Sequence, residues 1–149
     1  MRVSVIGGSS VDSATAATAE ALGDVLASRG HTVICGGLSG VMTAVCRGAK
    51  SEGGHTIGVL PGDDPGAANE FVDTPIATDL NHARNPLVVM NGDAVIAVNG
   101  SSGTLSELGH ALTLDKPVAG LDTHHIDGID GIEHVETPVA AVEYVEASG

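Results

Sequence analysis

The amino-acid sequence predicts an α/β fold in which helices cover both faces of a doubly wound, mostly parallel sheet. Short β-branched runs alternate with longer helical segments along the 149 residues, as in consecutive βαβ units. The runs are apolar at consecutive positions, which is typical of strands buried on both faces. Nothing resembles a linker between domains. We therefore expect a single Rossmann-like domain over residues 1–149.

The first half of the chain predicts two strand–helix units and two further strands. "RVSVIG" predicts the first strand, and an alanine-rich helix follows from Ser13 to Ser28. "HTVICG" predicts the second strand, and a helix follows from Val41 to about Glu52. "HTIGVL" predicts the third strand. A loop of proline, glycine and aspartate then leads to "FVDTPIAT", which predicts a short strand.

The second half continues the alternation. "PLVVMNG" predicts a short helix with Asn85 as N-cap and Pro86 at the first helical position. "AVIAV" predicts a strand, and "TLSELGHALTLD" predicts a helix that begins at Thr104 as N-cap. "PVAGL" predicts a further strand and "HVET" a last edge strand. "PVAAVEYVEA" predicts a final helix capped by Thr137.

Composition argues against several classes of partner. The net charge of −13 opposes binding to nucleic-acid backbones and anionic membranes. One Phe, one Tyr and no Trp leave no aromatic platform for single-stranded bases. No apolar run approaches the roughly 20 residues of a membrane span, and no secretory signal is present. A cytoplasmic protein is therefore expected.

The acid-rich, lysine-poor composition also resembles that of proteins from salt-loving archaea. An ordinary acidic surface is the alternative explanation. Cys35 and Cys46 form no CxxC pair and are expected to be small buried thiols, not a disulfide.

Three glycine-rich turns, each placed between a strand and a helix, predict a phosphate-binding site. They are "GGSS", "GGLSG" and "NGSSG". Glycine lets a ligand approach the backbone, and a helix N-terminus offers free N–H groups, so such a site needs no lysine. The carboxyl ends of parallel strands share one edge of a sheet, where ligands bind. The candidate ligand-binding residues are Gly7, Gly8, Ser9, Gly36, Gly37, Gly40, Asn99, Gly100, Ser101, Ser102, Gly103 and Thr104.

The motifs that these turns lack narrow the class of ligand. The dinucleotide fingerprint G-x-G-x-x-G is absent, and no acidic residue ends the second strand, where the ribose of NAD is bound. The Walker A sequence is absent too. A mononucleotide, or another ligand with a single phosphate group, remains as the expectation.

Glu107 has two interpretations. "TLSE", from Thr104 to Glu107, matches a capping box, in which the glutamate reaches back to the N-cap amide. Alternatively, the carboxylate binds a ribose hydroxyl or stabilises an oxocarbenium-like state. The sequence is compatible with both roles.

The segment "NHARNPLVVMNGDAVIAVNGSSGTLSELGHAL" resembles the signature region of the Lonely Guy superfamily. This superfamily comprises cytokinin-activating phosphoribohydrolases, formerly called lysine decarboxylases, and molybdenum-cofactor carrier proteins. Its motif is P-G-G-x-G-T-x-x-E with an arginine upstream. Residues 99–107 occupy the motif, and Arg84 occupies the place of the arginine. The resemblance implies that Arg84 and Glu107 are the candidate catalytic residues.

This sequence departs from the hydrolase pattern at three positions. Asn99 stands in place of proline, Ser101 in place of glycine, and Asn85 in place of the lysine that follows the arginine. These departures place the chain nearer the carrier-type branch. The resemblance therefore implies a binding or carrier protein, with molybdenum cofactor as a possible cargo and no cofactor required. The alternative is a phosphoribohydrolase that releases free base and ribose 5-phosphate.

Two further expectations concern partners and metals. The apolar "PLVVM" helix resembles helices that pair subunits in this superfamily, so a homo-oligomer is expected. The loop at residues 122–134, "DTHHIDGIDGIEH", contains metal-ligating residue types but not the order of a calcium loop. It is interpreted as a solvated acidic loop, with no metal site, and His82 as a surface histidine.

Overall fold

The computed structural model describes every residue from Met1 to Gly149 and contains seven strands and five α-helices. The strands are β1 (Arg2–Gly7), β2 (Thr32–Cys35), β3 (Thr56–Leu60), β4 (Thr74–Ala77), β5 (Ala94–Val98), β6 (Val118–Leu121) and β7 (Ile132–Val135). The helices are α1 (Ser13–Ser28), α2 (Val41–Ser51), α3 (Asn85–Met90), α4 (Ser102–Thr113) and α5 (Pro138–Ser148). Short 3₁₀ helices occupy Pro65–Ala67 and Asn81–Arg84.

All seven strands are parallel and form one sheet in the order β4-β3-β2-β1-β5-β6-β7. In the central strand, Val3 pairs with Val33 of β2 on one side and with Ala94 of β5 on the other. The strand order reverses between β1 and β5, which makes this the topological switch point of the sheet. The predicted doubly wound, Rossmann-like α/β fold is confirmed.

Apolar side chains of the sheet alternate between two cores. Val3 and Val5 point to a larger core that also contains residues of α1, α2 and α5, including Leu22. Ile6 points to a smaller core that contains Leu108 of α4 and residues of α3. Helices therefore cover both faces, which explains why the strands are apolar at consecutive positions.

Helices α1 and α2 cross at a contact between two glycines. A Cβ atom on Gly23 would lie 2.8 Å from the backbone nitrogen of Ala49, and one on Gly48 would lie 3.0 Å from that of Asp24. Each would also collide with a carbonyl oxygen of the opposite helix. The two backbones therefore touch because neither position carries a side chain.

Three predicted helix starts are confirmed and two are wrong. Helix α2 begins at Val41, as predicted. Helix α1 begins at Ser13, and Thr137 caps α5 by accepting the amide of Ala140 at 3.1 Å. Asn85 does not cap α3. The 3₁₀ turn at Asn81–Arg84 runs directly into that helix, so Asn85 is already its first helical residue.

Helix α4 begins two residues before the predicted Thr104 N-cap. Its N-cap is Ser101, and Thr104 lies buried within the first turn. The predicted capping box is therefore wrong. The reason lies in the turn before it, where Asn99 and Gly100 have φ angles of +52° and +128° and reverse the chain directly after β5.

Cys35 and Cys46 are free, buried thiols whose Sγ atoms lie 3.5 Å apart, as the sequence predicts. None of the five helices combines the length and apolar character that crossing a membrane demands.

Candidate functional site

A cleft of about 530 Å³ opens at the carboxyl edge of the sheet, beside the switch point. All three glycine-rich turns contribute to its wall, because the strands that precede them end at the same edge. The predicted site residues that line it are Gly7, Ser9, Gly36, Arg84, Ser101, Ser102, Gly103, Thr104 and Glu107.

The other predicted residues lie outside this cleft. Gly8, Asn99 and Gly100 border a smaller adjoining hollow of about 300 Å³. Gly37 and Gly40 line neither space. Both have positive φ angles and pack against the chain itself, Gly37 near Leu60 and Gly40 against the backbone of Gly8 and Ser9. These two glycines therefore allow the turns to pack closely.

The first turn of α4 presents free backbone donors to the cleft. The amides of Ser102, Gly103 and Thr104 have no intrahelical partner, as at the start of any helix. Ser101 makes no side-chain hydrogen bond that would cap them. These N–H groups and the positive end of the helix dipole form a site suited to an anion.

Arg84 is a fixed cation in the same cleft as the first turn of α4. Its side chain is only 8% exposed. Nε donates to the carbonyl of Val59 at 2.9 Å, Nη2 to that of Gly36 at 3.4 Å, and Nη1 to Oδ1 of Asn85. The guanidinium is thus tied to the ends of β2 and β3 and to α3. Burial lowers the pKa of Arg84, but a guanidinium stays charged at neutral pH.

Asn85 lines the cleft, although the sequence indicated it only as the cap of α3 and as a departure from the hydrolase pattern. Because its Oδ1 accepts from Arg84, its Nδ2 is the free donor, and this atom lies 3.7 Å from where Gly103 would carry a Cβ. The amide therefore adds a neutral donor next to the first turn of α4. The adjacency of arginine and asparagine in the sequence is the one signal that could have found it.

Further residues of the cleft were not predicted at all. His82 was expected to be a surface histidine, and its exposed ring borders the cleft. The rest of the wall consists of Val5, Ile6, Leu38, Met42, Pro61 and Ser106. Leu38 and Ser106 lie within the quoted "GGLSG" and "TLSE" stretches, but at positions that neither pattern specifies.

Glu107 lies one turn into α4 and lines the cleft. It is 8% exposed, and its carboxylate accepts no hydrogen bond from the protein. Burial raises the pKa of Glu107 to about 7, while the nearby charge of Arg84 opposes this rise. The two groups influence each other without a salt bridge within 4 Å. A carboxyl group of this kind can hold or release a proton near neutrality.

The segment at residues 122–134, predicted as a loop, lies at the same edge of the sheet; residues 132–134 belong to β7 because they pair with β6. Thr123 donates to the carbonyl of Asn99 at 2.7 Å, and the His124 ring lies 2.9 Å from the carbonyl of Ser101. The rings of His125 and His134 stack with centroids 3.8 Å apart. No three His, Cys, Asp or Glu side chains in the structure are grouped to hold a metal ion.

A parallel sheet with a cleft at its switch point, next to the N-terminus of a helix, defines a Rossmann-like α/β protein. A model of the SLOG cluster4 family matches residues 1–148. The chain belongs to this family. The resemblance to the Lonely Guy and molybdenum-cofactor carrier proteins is confirmed by relatives in sequence and structure.

Three relatives illustrate this. An uncharacterized protein of Archaeoglobus fulgidus is 43% identical over 99% of this chain and 96% of its own length. A cytokinin riboside 5'-monophosphate phosphoribohydrolase of Mycobacterium tuberculosis is 35% identical over 72% of this chain, which spans 63% of that enzyme's length. The molybdenum cofactor binding protein of Rippkaea orientalis superposes with a TM-score of 0.92 at 30% identity, covering 99% of this chain and 96% of that one.

Proposed function

We propose that this protein binds a phosphorylated, nucleotide-like ligand as a binding or carrier protein. The observation that carries the proposal is the pairing of two features in one cleft, the free amides of Ser102–Thr104 and the buried cation of Arg84. Together they supply a phosphate group with backbone donors, a helix dipole and one positive charge. The similarity to a molybdenum cofactor binding protein supports a phosphorylated pterin cofactor as one candidate cargo.

A phosphate ligand would bring a full negative charge to Arg84, which makes no salt bridge with Glu107. Arg84 is anchored to two backbone carbonyls and an amide oxygen, none of which carries a full negative charge. A bound phosphate would provide that charge in a cleft partly shielded from water, where charge-assisted hydrogen bonds are strong. In this proposal the protein holds the phosphate, and the remainder of the cleft holds the base or pterin.

A second candidate function is hydrolysis of the N-glycosidic bond of a nucleoside monophosphate. The observation that favours it is Glu107, a buried carboxyl with no hydrogen-bond partner in the cleft that contains Arg84. In this alternative, ionised Glu107 stabilises the positive charge that develops on the ribose as the base departs. A water then attacks the sugar, and the products are free base and ribose 5-phosphate. The similarity to a phosphoribohydrolase supports it.

The first experiment tests the phosphate site. Ser102→Glu places a carboxylate among the free amides, and acidic residues are tolerated at helix N-termini. We expect this variant to fold normally and to bind AMP at least about tenfold more weakly by calorimetry. Ser13→Glu is the matched control, because Ser13 is the exposed first residue of α1 and lies outside the cleft. Equal affinity for AMP in both variants would overturn the phosphate site.

The second experiment separates the two functions. The protein is incubated with AMP, GMP, CMP and UMP in high-salt buffer, and free base is measured by chromatography. Release of base that Glu107→Gln abolishes and the surface variant Glu143→Gln retains would establish the hydrolase. Binding without release, in wild type and in both variants, would establish a binding or carrier protein.

A further inference from the structure

A second cavity lies at the carboxyl edge of the sheet, away from Arg84 and Glu107. It has a volume of about 390 Å³. Its wall comes from the ends of β5, β6 and β7 and from the first turns of α1. None of the residues of the proposed phosphate site lines this cavity, so a bound phosphate would leave it unfilled.

The smaller hollow adjoins both spaces. It shares Ser9 and Ser101 with the cleft, and it shares Thr15 and Asn99 with the second cavity. The three spaces therefore follow one another along the sheet edge and cross the switch point. Asn99 and Thr15 lie between the hollow and the second cavity, and Nδ2 of Asn99 is 3.5 Å from the hydroxyl of Thr15, a long hydrogen bond.

The chemistry of the second cavity differs from that of the cleft. Asp122 directly follows β6, and Glu136 directly follows β7, so two carboxylates line it. Carboxylates repel a phosphate but accept hydrogen bonds from ribose hydroxyls, which is their role after a strand in dinucleotide-binding proteins. The stacked rings of His125 and His134 add an aromatic surface. The cavity therefore suits a nucleoside without its phosphate.

We infer that the ligand is a pyrophosphate-linked dinucleotide that crosses the switch point. This inference rests on the proposed function. One nucleotide occupies the cleft, with its phosphate at the first turn of α4. The pyrophosphate continues over Ser9 and Ser101, and the ribose of the second nucleoside meets Asp122 and Glu136. The intermediate hollow also contains Asp12, whose carboxylate is engaged by the amide of Thr15 at 2.8 Å.

This arrangement explains why the sequence lacks the dinucleotide fingerprint. The usual acidic residue follows the second strand, on one side of the switch point. In this chain the acidic residues follow β6 and β7, on the other side. The expectation of a single phosphate depended on the missing fingerprint, the missing Walker A sequence and the missing acid after the second strand, and it did not consider acids after β6 and β7.

The test compares AMP, ADP and diadenosine 5',5'-pyrophosphate by calorimetry on the full chain. ADP controls for the added phosphate. We expect the dinucleotide to bind at least about tenfold more tightly than either mononucleotide. Ala14→Phe should remove this advantage by filling the second cavity and leave AMP affinity unchanged, since Ala14 is an exposed cavity residue outside the cleft. Ala17→Phe is the matched control on the same helix, outside all three spaces.

A conservative variant gives a second readout. Asp122→Asn keeps a side chain that tolerates the local φ of +50° but accepts hydroxyl hydrogen bonds more weakly. The ratio of dinucleotide to AMP affinity should fall by about threefold or more. Equal affinity for AMP and the dinucleotide, or an advantage that survives Ala14→Phe, would overturn the inference and leave the proposed function standing. If AMP, ADP and the dinucleotide all fail to bind, both this inference and a nucleotide as the ligand of the proposed function are overturned.

Discussion

Glu107 and Arg84 show how burial shapes the chemistry of single residues in this protein. Both residues are more than nine-tenths buried. Because burial removes water, it lowers the pKa of Arg84 and raises the pKa of Glu107, which favours the neutral form of each group. Arg84 compensates through hydrogen bonds to carbonyl groups. Glu107 has no such partners, so its ionised form is costly in the folded state.

The raised pKa of Glu107 predicts a pH-dependent stability. Its pKa is 4.5 when unperturbed and about 7 in the fold, so the folded chain retains a proton over that interval. The group's favourable contribution is present below about pH 4.5 and is lost as the pH rises through 7. Glu107→Gln carries no charge. It should match wild type near pH 4.5 and exceed its free energy of unfolding by about 3 kcal/mol near pH 8.

Denaturant unfolding at the two pH values checks this prediction. Glu143→Gln is the control, because the Glu143 side chain is 63% exposed and its ion pair contributes little. A difference between Glu107→Gln and wild type that stays constant with pH would contradict the prediction.

At the scale of elements, the turn between β5 and α4 sets the geometry of the proposed phosphate site. Asn99 occupies the place of the proline in the hydrolase motif, but its φ of +52° is inaccessible to proline. Its amide also donates to the carbonyl of Leu121 at 3.0 Å, a bond that proline cannot make. Asn99→Pro should therefore reduce the free energy of unfolding by about 3 kcal/mol or more.

Asn99→Gly is the matched variant for this turn. Glycine adopts the same φ, so thermal unfolding should show a loss of at most about 1 kcal/mol, from the hydrogen bond between Asn99 Oδ1 and the amide of Gly100. If Asn99→Pro unfolds at the same temperature as Asn99→Gly, the turn can adopt the conformation that proline requires.

The crossing of α1 and α2 makes opposite predictions for two helical glycines. Gly48→Ala forces a methyl group against the backbone of α1 and should cost about 3 kcal/mol or more of folding stability. Gly109→Ala lies on an exposed face of α4 with open space around it, and should stabilise the protein by about 0.5–1 kcal/mol. Thermal unfolding of both variants measures the two signs. A tolerated Gly48→Ala would show that the helices can separate without loss.

Pattern alone predicted the strands and most helices, because apolar periodicity reflects burial directly. It failed at the start of α4, where "TLSE" has the residues of a capping box but the positive φ angles of Asn99 and Gly100 move the N-cap to Ser101. Local sequence cannot distinguish an N-cap at Thr104 from one at Ser101. The turn depends on contacts of Asn99 with Thr15 and Thr123, which lie far along the chain.

At the scale of the whole molecule, the convergence of the three glycine turns was predictable and their individual roles were not. Parallel strands end at one edge whatever the loops contain, so the turns meet. The sequence does not distinguish a glycine that leaves room for a ligand from one that leaves room for a neighbouring segment of backbone. Gly103 lines the cleft, whereas Gly40 fits against its neighbouring turn. The anchoring of Arg84 by Val59 depends on residues from separate units of the fold.

The net charge of −13 predicts a stability that rises with salt. Repulsion between like charges destabilises the compact state, and salt screens it over distances of about 10 Å or less. The unfolding temperature should increase between about 0.1 M and 2 M KCl. The triple variant Glu52→Lys, Asp63→Lys, Asp127→Lys changes three exposed acids and should show a smaller increase. An equal increase in the variant would assign the effect to general salt exclusion.

The position of β1 has a consequence for how the protein reaches this structure. The central strand pairs through Val3 with Ala94, so one of its two neighbours lies far along the chain. Contacts of such long sequence separation slow folding, because a large loop must close before they form. Until β5 docks, one edge of β1 stays open and available to strands of other molecules. The step that brings α4 to the candidate site thus also covers this edge of β1.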